Sequence, residues 1–232
     1  MKKIGIIGGL GPESTLMYYR EIINLCRQRP EDKIPEIIVY SVDLDEIRGY
    51  FDSCDLFTLT NVLSDKIEKL VEAGASFVAI SSNSPHVVFD ELQEKAGVPM
   101  ISIVDEAARY CRNVSENGRV GLLGTGFTMR SEFFPKIFKQ YGLKIFLPDA
   151  DEQEYINETI YSELSKGIIN DETRIRFEEI TKNLVTKYSI DSLALGCTEL
   201  PLILRYPLYG LHYVNTVSVH VQSIVDYCFS DR

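Results

Sequence analysis

Two short stretches hold the residues best suited to chemistry. SSNSPH (residues 81–86) closes the apolar run FVAI and gathers Ser82, Asn83, Ser84 and His86 in one bend before a helical pattern. LGCTELP (residues 195–201) closes the run SLAL and has Cys197 where the first stretch has Ser82, followed by Thr198 and Glu199. Polar side chains at a strand-to-helix junction face the sheet edge where ligands collect in α/β proteins. Ser84 reads as an N-cap with Pro85 opening a helix, which leaves backbone N–H groups able to take a carboxylate. Pro201 marks a helix start just behind Cys197, and a helix N-terminus lowers a thiol pKa. Cys197 is thereby placed as a base or a nucleophile, although a small packed residue at a strand end reads the same way. His86, and His220 in the last helical segment, are the candidate partner bases. Neither stands at a diagnostic spacing, each reads equally as packing, and His212 carries no motif.

The glycine-rich start GIIGGLGPES (residues 5–14) invites a phosphate-binding reading. It has Gly9 and Gly11, but Ser14 stands where a dinucleotide fingerprint needs its third glycine, Asp43 lies too far along for the acidic residue, and no GK[ST] follows. A tight turn with Pro12 in the first turn of a helix, leaving free backbone N–H groups, accounts for the same glycines. With no HxH, HExxH or CxxC pattern, neither a metal nor a cofactor is expected.

These loops must be carried by regular elements. Eight β-type runs, KKIGIIG, EIIVYSV, SFVAISS, PMISI, RVGLLG, KIFLP, SLALGC and LHYVN, alternate with helical patterns such as STLMYYREIINLCRQ and TLTNVLSDKIEKLVEAG, the latter closing on Gly74 as a C-cap. Such alternation predicts an α/β fold with parallel sheets. The plan also repeats: KIGIIGGLGPEST from Lys3 aligns with RVGLLGTGFTMRS from Arg119, and at nearly the same offset Ser82 meets Cys197. Two similar α/β domains are expected, residues 1–104 plus 208–232 in the first and 105–207 in the second. Their two strand-end sites would face each other across a shared cleft.

Composition narrows the partners. With 34 acidic against 24 basic residues and a net charge of −10, the chain lacks the basic surface that a nucleic acid or an anionic membrane requires, so a small molecule is expected. No apolar run approaches the ~20 residues of a bilayer span, and no signal-peptide core precedes KKIGIIGG, so a cytoplasmic protein is expected. The 5 cysteines form no CxxC pair and read as reduced thiols.

GIIGGLGPEST, SSNSPH and LGCTELP together resemble, in order and spacing, the signature segments of the cofactor-independent aspartate/glutamate racemase family. The resemblance covers essentially the whole chain. It implies two α/β domains related by a pseudo-twofold axis, an active site between them and commonly a homodimer. The implied chemistry is two-base racemisation, one cysteine removing the Cα proton and another delivering a proton to the opposite face. Resemblance to aspartate racemases would give side-chain carboxylate binding to Arg48 in DLDEIRGY and Lys166 in SELSKGI. Asn83, Ser84 and Thr198 would hold the amino and α-carboxylate groups, and Thr125 and Thr128 in GTGFT would line the second domain.

Cys197 matches the family's second cysteine, whereas Ser82 stands where the pattern has its first. A serine hydroxyl is a far poorer base than a thiolate. Three readings therefore stand: a slow or direction-biased racemase of aspartate or glutamate, a one-cysteine isomerase or decarboxylase, and a non-catalytic dicarboxylate-binding homologue. Asn215, in YVNTVSVH, stands where related sequences tend to carry Asp, which weakens any charge argument for His220.

Overall fold

The runs richest in Ile, Val and Leu become the inner strands of two parallel sheets, because a strand covered on both faces is apolar at nearly every position. In the computed structural model, which describes residues 1–230, the chain begins with β1 (Ile4–Gly8), α1 (Pro12–Arg27), β2 (Ile37–Ser41), α2 (Leu44–Asp52), α3 (Leu56–Glu72) and β3 (Phe77–Ile80). A 3-10 turn (Ser84–Val88), α4 (Phe89–Lys95), β4 (Met100–Ile101) and α5 (Ile103–Val114) follow. The plan then restarts with β5 (Arg119–Leu123), α6 (Gly126–Arg130), α7 (Phe133–Gln140), β6 (Lys144–Phe146) and α8 (Ala150–Ser162). A second 3-10 turn (Leu164–Lys166) leads into α9 (Asp171–Tyr188), β7 (Ser192–Leu195), α10 (Leu200–Ile203), β8 (His212–Asn215) and α11 (Thr216–Phe229).

All eight expected strands are present. They form two four-stranded sheets of identical plan, β2-β1-β3-β4 and β6-β5-β7-β8, with every neighbouring pair parallel. Alternate side chains leave a strand on opposite faces, and the first sheet obeys this closely. Ile4, Ile6, Phe77 and Ala79 pack with Tyr18 and Ile22 of α1 and with Val221 and Ile224 of α11. Ile7, Val78 and Ile80 turn the other way, onto Leu59, Leu63 and Ile67 of α3. In the second sheet Leu123, Leu193 and Leu195 pack with Ile156 of α8, Phe177 and Ile180 of α9 and Leu200 of α10.

The chain divides into two units, Val104–Thr216 forming the second, and Met1–Ile103 with the segment from Val217 onward forming the first. The return crossing lies at residues 216/217, not at the expected 207/208, because β8 pairs in register with β7, Ser192 against His212 and Leu195 against Asn215. Helices are exchanged as a result: α5 follows the first sheet but belongs to the second unit, and α11 follows the second sheet but packs on the first. Gly74, at φ +97°, follows the C-cap of α3 as its sequence position suggested. The single helix expected from Pro85 is instead the 3-10 turn running into α4. Among the described residues no helix is long and apolar enough to cross a membrane.

Candidate functional site

Parallel strands bring their carboxyl ends to one edge of each sheet, and the polar loops follow those ends. In the second unit the Gly196 N–H donates to the Leu123 carbonyl at 2.7 Å, extending the pairing of β7 with β5 by one residue. Cys197 is therefore presented by the sheet itself, two residues beyond Leu195. Its half-buried Sγ–H donates to Glu199 Oε2 at 2.8 Å, and the Thr198 hydroxyl donates to the same oxygen at 2.8 Å.

Burial raises the Cys197 thiol pKa well above its ordinary range, the negative Glu199 adds to the rise, and the Thr198 and Glu199 backbone N–H groups oppose it. The expectation of a thiol acidified by a helix N-terminus is thereby overturned. α10 has 4 residues, too few to sum an appreciable dipole, and a carboxylate lies against the sulfur. Glu199 is the functional candidate that sequence reasoning passed over. Its signal was a carboxylate two residues after a strand-end thiol.

Around this loop Thr125 caps α6, its Oγ1 accepting from the Thr128 N–H at 3.3 Å and donating to the Thr128 hydroxyl at 3.1 Å. Thr128 is fully buried and supports the loop from beneath, whereas Thr125 is half-buried at its rim. Asn157 Oδ1 accepts the Gly126 N–H at 2.7 Å. Lys166 is exposed on the second 3-10 turn, which packs against α10.

In the first unit Ser82 occupies the matching position, two residues beyond Ile80. Its neighbour Ser81 is fastened on every side. The Ser81 N–H donates to the Ile7 carbonyl at 3.0 Å, Thr15 Oγ1 lies 3.2 Å from Ser81 Oγ, and Ser14 Oγ donates to the Ser81 carbonyl at 2.7 Å. The Gly9 N–H, expected to be free, donates to Thr15 Oγ1 at 2.9 Å, so the glycine-rich turn is committed to holding this edge. Gly9 has φ +82°, and a Cβ there would come within 2.4 Å of the Val42 carbonyl oxygen. Asn83 is buried and Ser84 half-buried; the 3-10 turn starts at Ser84 itself with Asn83 at the N-cap position, so Ser84 is not the N-cap that was expected. Arg48 is exposed on α2, which starts from the carboxyl end of β2 on the same edge.

Both candidate histidines are engaged by groups of their own unit. His86 Nε2 accepts the Ile103 N–H at 3.2 Å, and burial pushes its pKa down to about 3. His220 lies between the Tyr18 hydroxyl at 2.7 Å and the Ile101 carbonyl at 2.8 Å, and burial pushes its pKa down to about 4. Both rings are buried and neutral at physiological pH. Of the other thiols, Cys26, Cys111 and Cys228 are buried and Cys54 is exposed.

A family model described as Asp/Glu/Hydantoin racemase matches residues 7–224. The broad specificity amino-acid racemase RacX of Bacillus subtilis is 26% identical over 211 residues, 88% of either chain. A solved structure of a candidate Asp/Glu racemase from Yersinia pestis superposes with a TM-score of 0.90 at 30% identity, covering 99% of this chain and 100% of that one. An aspartate racemase homologue from Pyrococcus horikoshii gives 0.84 at 32% identity, with coverage of 99% and 100%.

Proposed function

The chain belongs to the Asp/Glu/hydantoin racemase family, and from that premise we propose that it racemises an acidic amino acid, aspartate or glutamate, by proton transfer at Cα without a cofactor. The observation that carries the reading is the Cys197 thiol donating to Glu199 at 2.8 Å from the carboxyl end of a central strand. At rest the proton stays on sulfur. A bound substrate's ammonium group favours the thiolate, and the proton passes from Sγ to Glu199. The thiolate then takes the Cα proton, leaving a planar carbanion whose charge is spread into the α-carboxylate. Delivery of a proton to the opposite face inverts the centre, and Ser82, in the matching position of the other unit, is the group assigned to that face.

Arg48 and Lys166 are assigned to the side-chain carboxylate, and Asn83, Ser84, Thr198 and Thr125 to the amino and α-carboxylate groups. Thr128 positions their loop. Stabilising a carbanion requires such donors to be in place before the proton moves. The working form is taken to be a homodimer, as the family resemblance implies.

Ser82 itself favours a second reading, an enzyme that exchanges the proton on the Cys197 face alone or a homologue that binds dicarboxylates without turnover. Incubating the protein in deuterated water with each enantiomer of aspartate and glutamate separates these readings. Cα–H loss is followed by NMR and product chirality is measured in parallel. Exchange with inversion supports the racemase; exchange with retention from one enantiomer restricts function to Cys197. Silence from all four, with binding intact and with Ser82→Cys also silent, overturns the catalytic reading. Cys197→Ala must abolish any genuine signal.

A further inference from the structure

The two buried histidines, His86 and His220, converge on one short segment. Ile101 and Ile103 flank Ser102 just before the chain leaves the first unit at residues 103/104. The Ile103 N–H can only donate, so His86 Nε2 is the acceptor and the proton of the neutral ring sits on Nδ1. The Ile101 carbonyl can only accept, so His220 carries its proton on Nε2, and the Tyr18 hydroxyl donates to its Nδ1. The rings are thus opposite tautomers. They meet edge to face at 6.2 Å, and His86 stacks on Phe89 at 5.1 Å. The titratable groups facing the rings are Tyr18 and each other.

His86 also belongs to the Ser82 loop. Its own N–H donates to the Asn83 carbonyl at 3.0 Å, while its buried Nδ1 has no hydrogen-bond partner among the described residues. His220 lies one helical turn into α11, which begins where the chain returns to the first unit. A single network therefore ties the site loop, the outgoing connection and the returning helix.

We propose that His86 and His220 are positioning residues, locked as neutral imidazoles of opposite tautomer, which fasten residues 101–103 to the Ser82–Ser84 loop on one side and to α11 on the other. The consequence for catalysis rests on the racemase reading; the fastening itself does not.

The test uses the full chain labelled with 15N-histidine, its rings assigned with His86→Gln and His220→Gln. Of the 3 histidine rings, His86 is expected to appear as Nδ1–H and His220 as Nε2–H, these two neutral from pH 8 to pH 5. One tautomer shared by these two, or either of them charged at pH 6, would overturn the proposal. As a second readout, the thiol introduced by Ser82→Cys is alkylated in three backgrounds. His86→Leu should raise its rate roughly tenfold and speed amide exchange across residues 99–104. His86→Gln, whose amide oxygen can still accept from Ile103, should restore both to within about threefold of the parent. No change with His86→Leu, or no rescue by His86→Gln, also overturns it. If the expected ring pattern accompanies a protein silent in Cα exchange, the racemase reading alone falls.

Discussion

At the scale of single residues, Glu199 has two effects that point in opposite directions. Its charge raises the Cys197 thiol pKa, and in the proposed mechanism its Oε2, which accepts from both the thiol and the Thr198 hydroxyl, takes the thiol proton. Glu199→Gln should therefore lower the thiol pKa and speed alkylation of Cys197 at pH 8 several-fold, yet slow Cα exchange by about a hundredfold, the usual worth of a positioned proton acceptor. A carboxylate that merely anchored the loop would move both rates together. Arg48→Ala and Lys166→Ala test the carboxylate assignment. Losing a hydrogen bond to a charged group costs about 1.5–3 kcal/mol, so each should raise KM for acidic substrates by roughly ten- to a hundredfold with little change in kcat. Equal KM values in all three proteins would move the carboxylate site elsewhere. The strand-end positions of Ser82 and Cys197 were legible in the sequence because each follows an apolar run that reads as a central strand. Glu199 was not, since the sequence offered a helix start behind the thiol and gave no hint that the helix would stop after 4 residues.

At the scale of elements, the β4 connection and α11 depend on histidines that must stay neutral. His86 and His220 charge near pH 6.5 in the unfolded chain but only near pH 3 and pH 4 when folded. Between those limits the unfolded state holds more protons, so stability rises with pH and falls as the solution is acidified from pH 7 toward pH 4. Each histidine contributes a slope of up to about 1.4 kcal/mol per pH unit in that window. Urea midpoints at pH 7, 6 and 5 should fall steadily, and His220→Gln should flatten the trend. A flat profile between pH 7 and pH 5 in the parent would show that these rings charge without penalty. The strands were all legible, because short apolar runs bounded by turn residues recur between the helical patterns. The helices after β3 and β7 were not, since Pro85 and Pro201 signal where a helix begins but carry no information on whether its first turn is α or 3-10, or on how soon it ends. The burial of His220 was likewise invisible, its partners Tyr18 and Ile101 standing more than a hundred residues distant in the chain, and that of His86 depends in turn on packing against His220.

At the scale of the whole molecule, the duplicated plan was legible as an offset between like motifs, and the two sheets repeat it strand for strand. The exact crossing was not, because LHYVN reads equally well as the last strand of either half until its register against β7 is known. The exchange of α5 and α11 makes the first unit discontinuous. A chain of residues 1–103 lacks Val217, Val221, Ile224 and Val225, which cover Ile4, Ile6 and Phe77. It should remain a dye-binding, loosely packed species, and adding a peptide of residues 217–230 should restore cooperative unfolding. Cooperative unfolding of the 1–103 fragment by itself would show that α1 alone covers that face. The same exchange orders synthesis. A ribosome releases segments from the N-terminus onward, so the sheet translated first must wait, one face unsealed, while the whole of its sister unit emerges and closes. What is made earliest is finished last, and a nascent chain stalled before residue 217 would offer chaperones a bare strip of isoleucine and phenylalanine that the completed protein conceals.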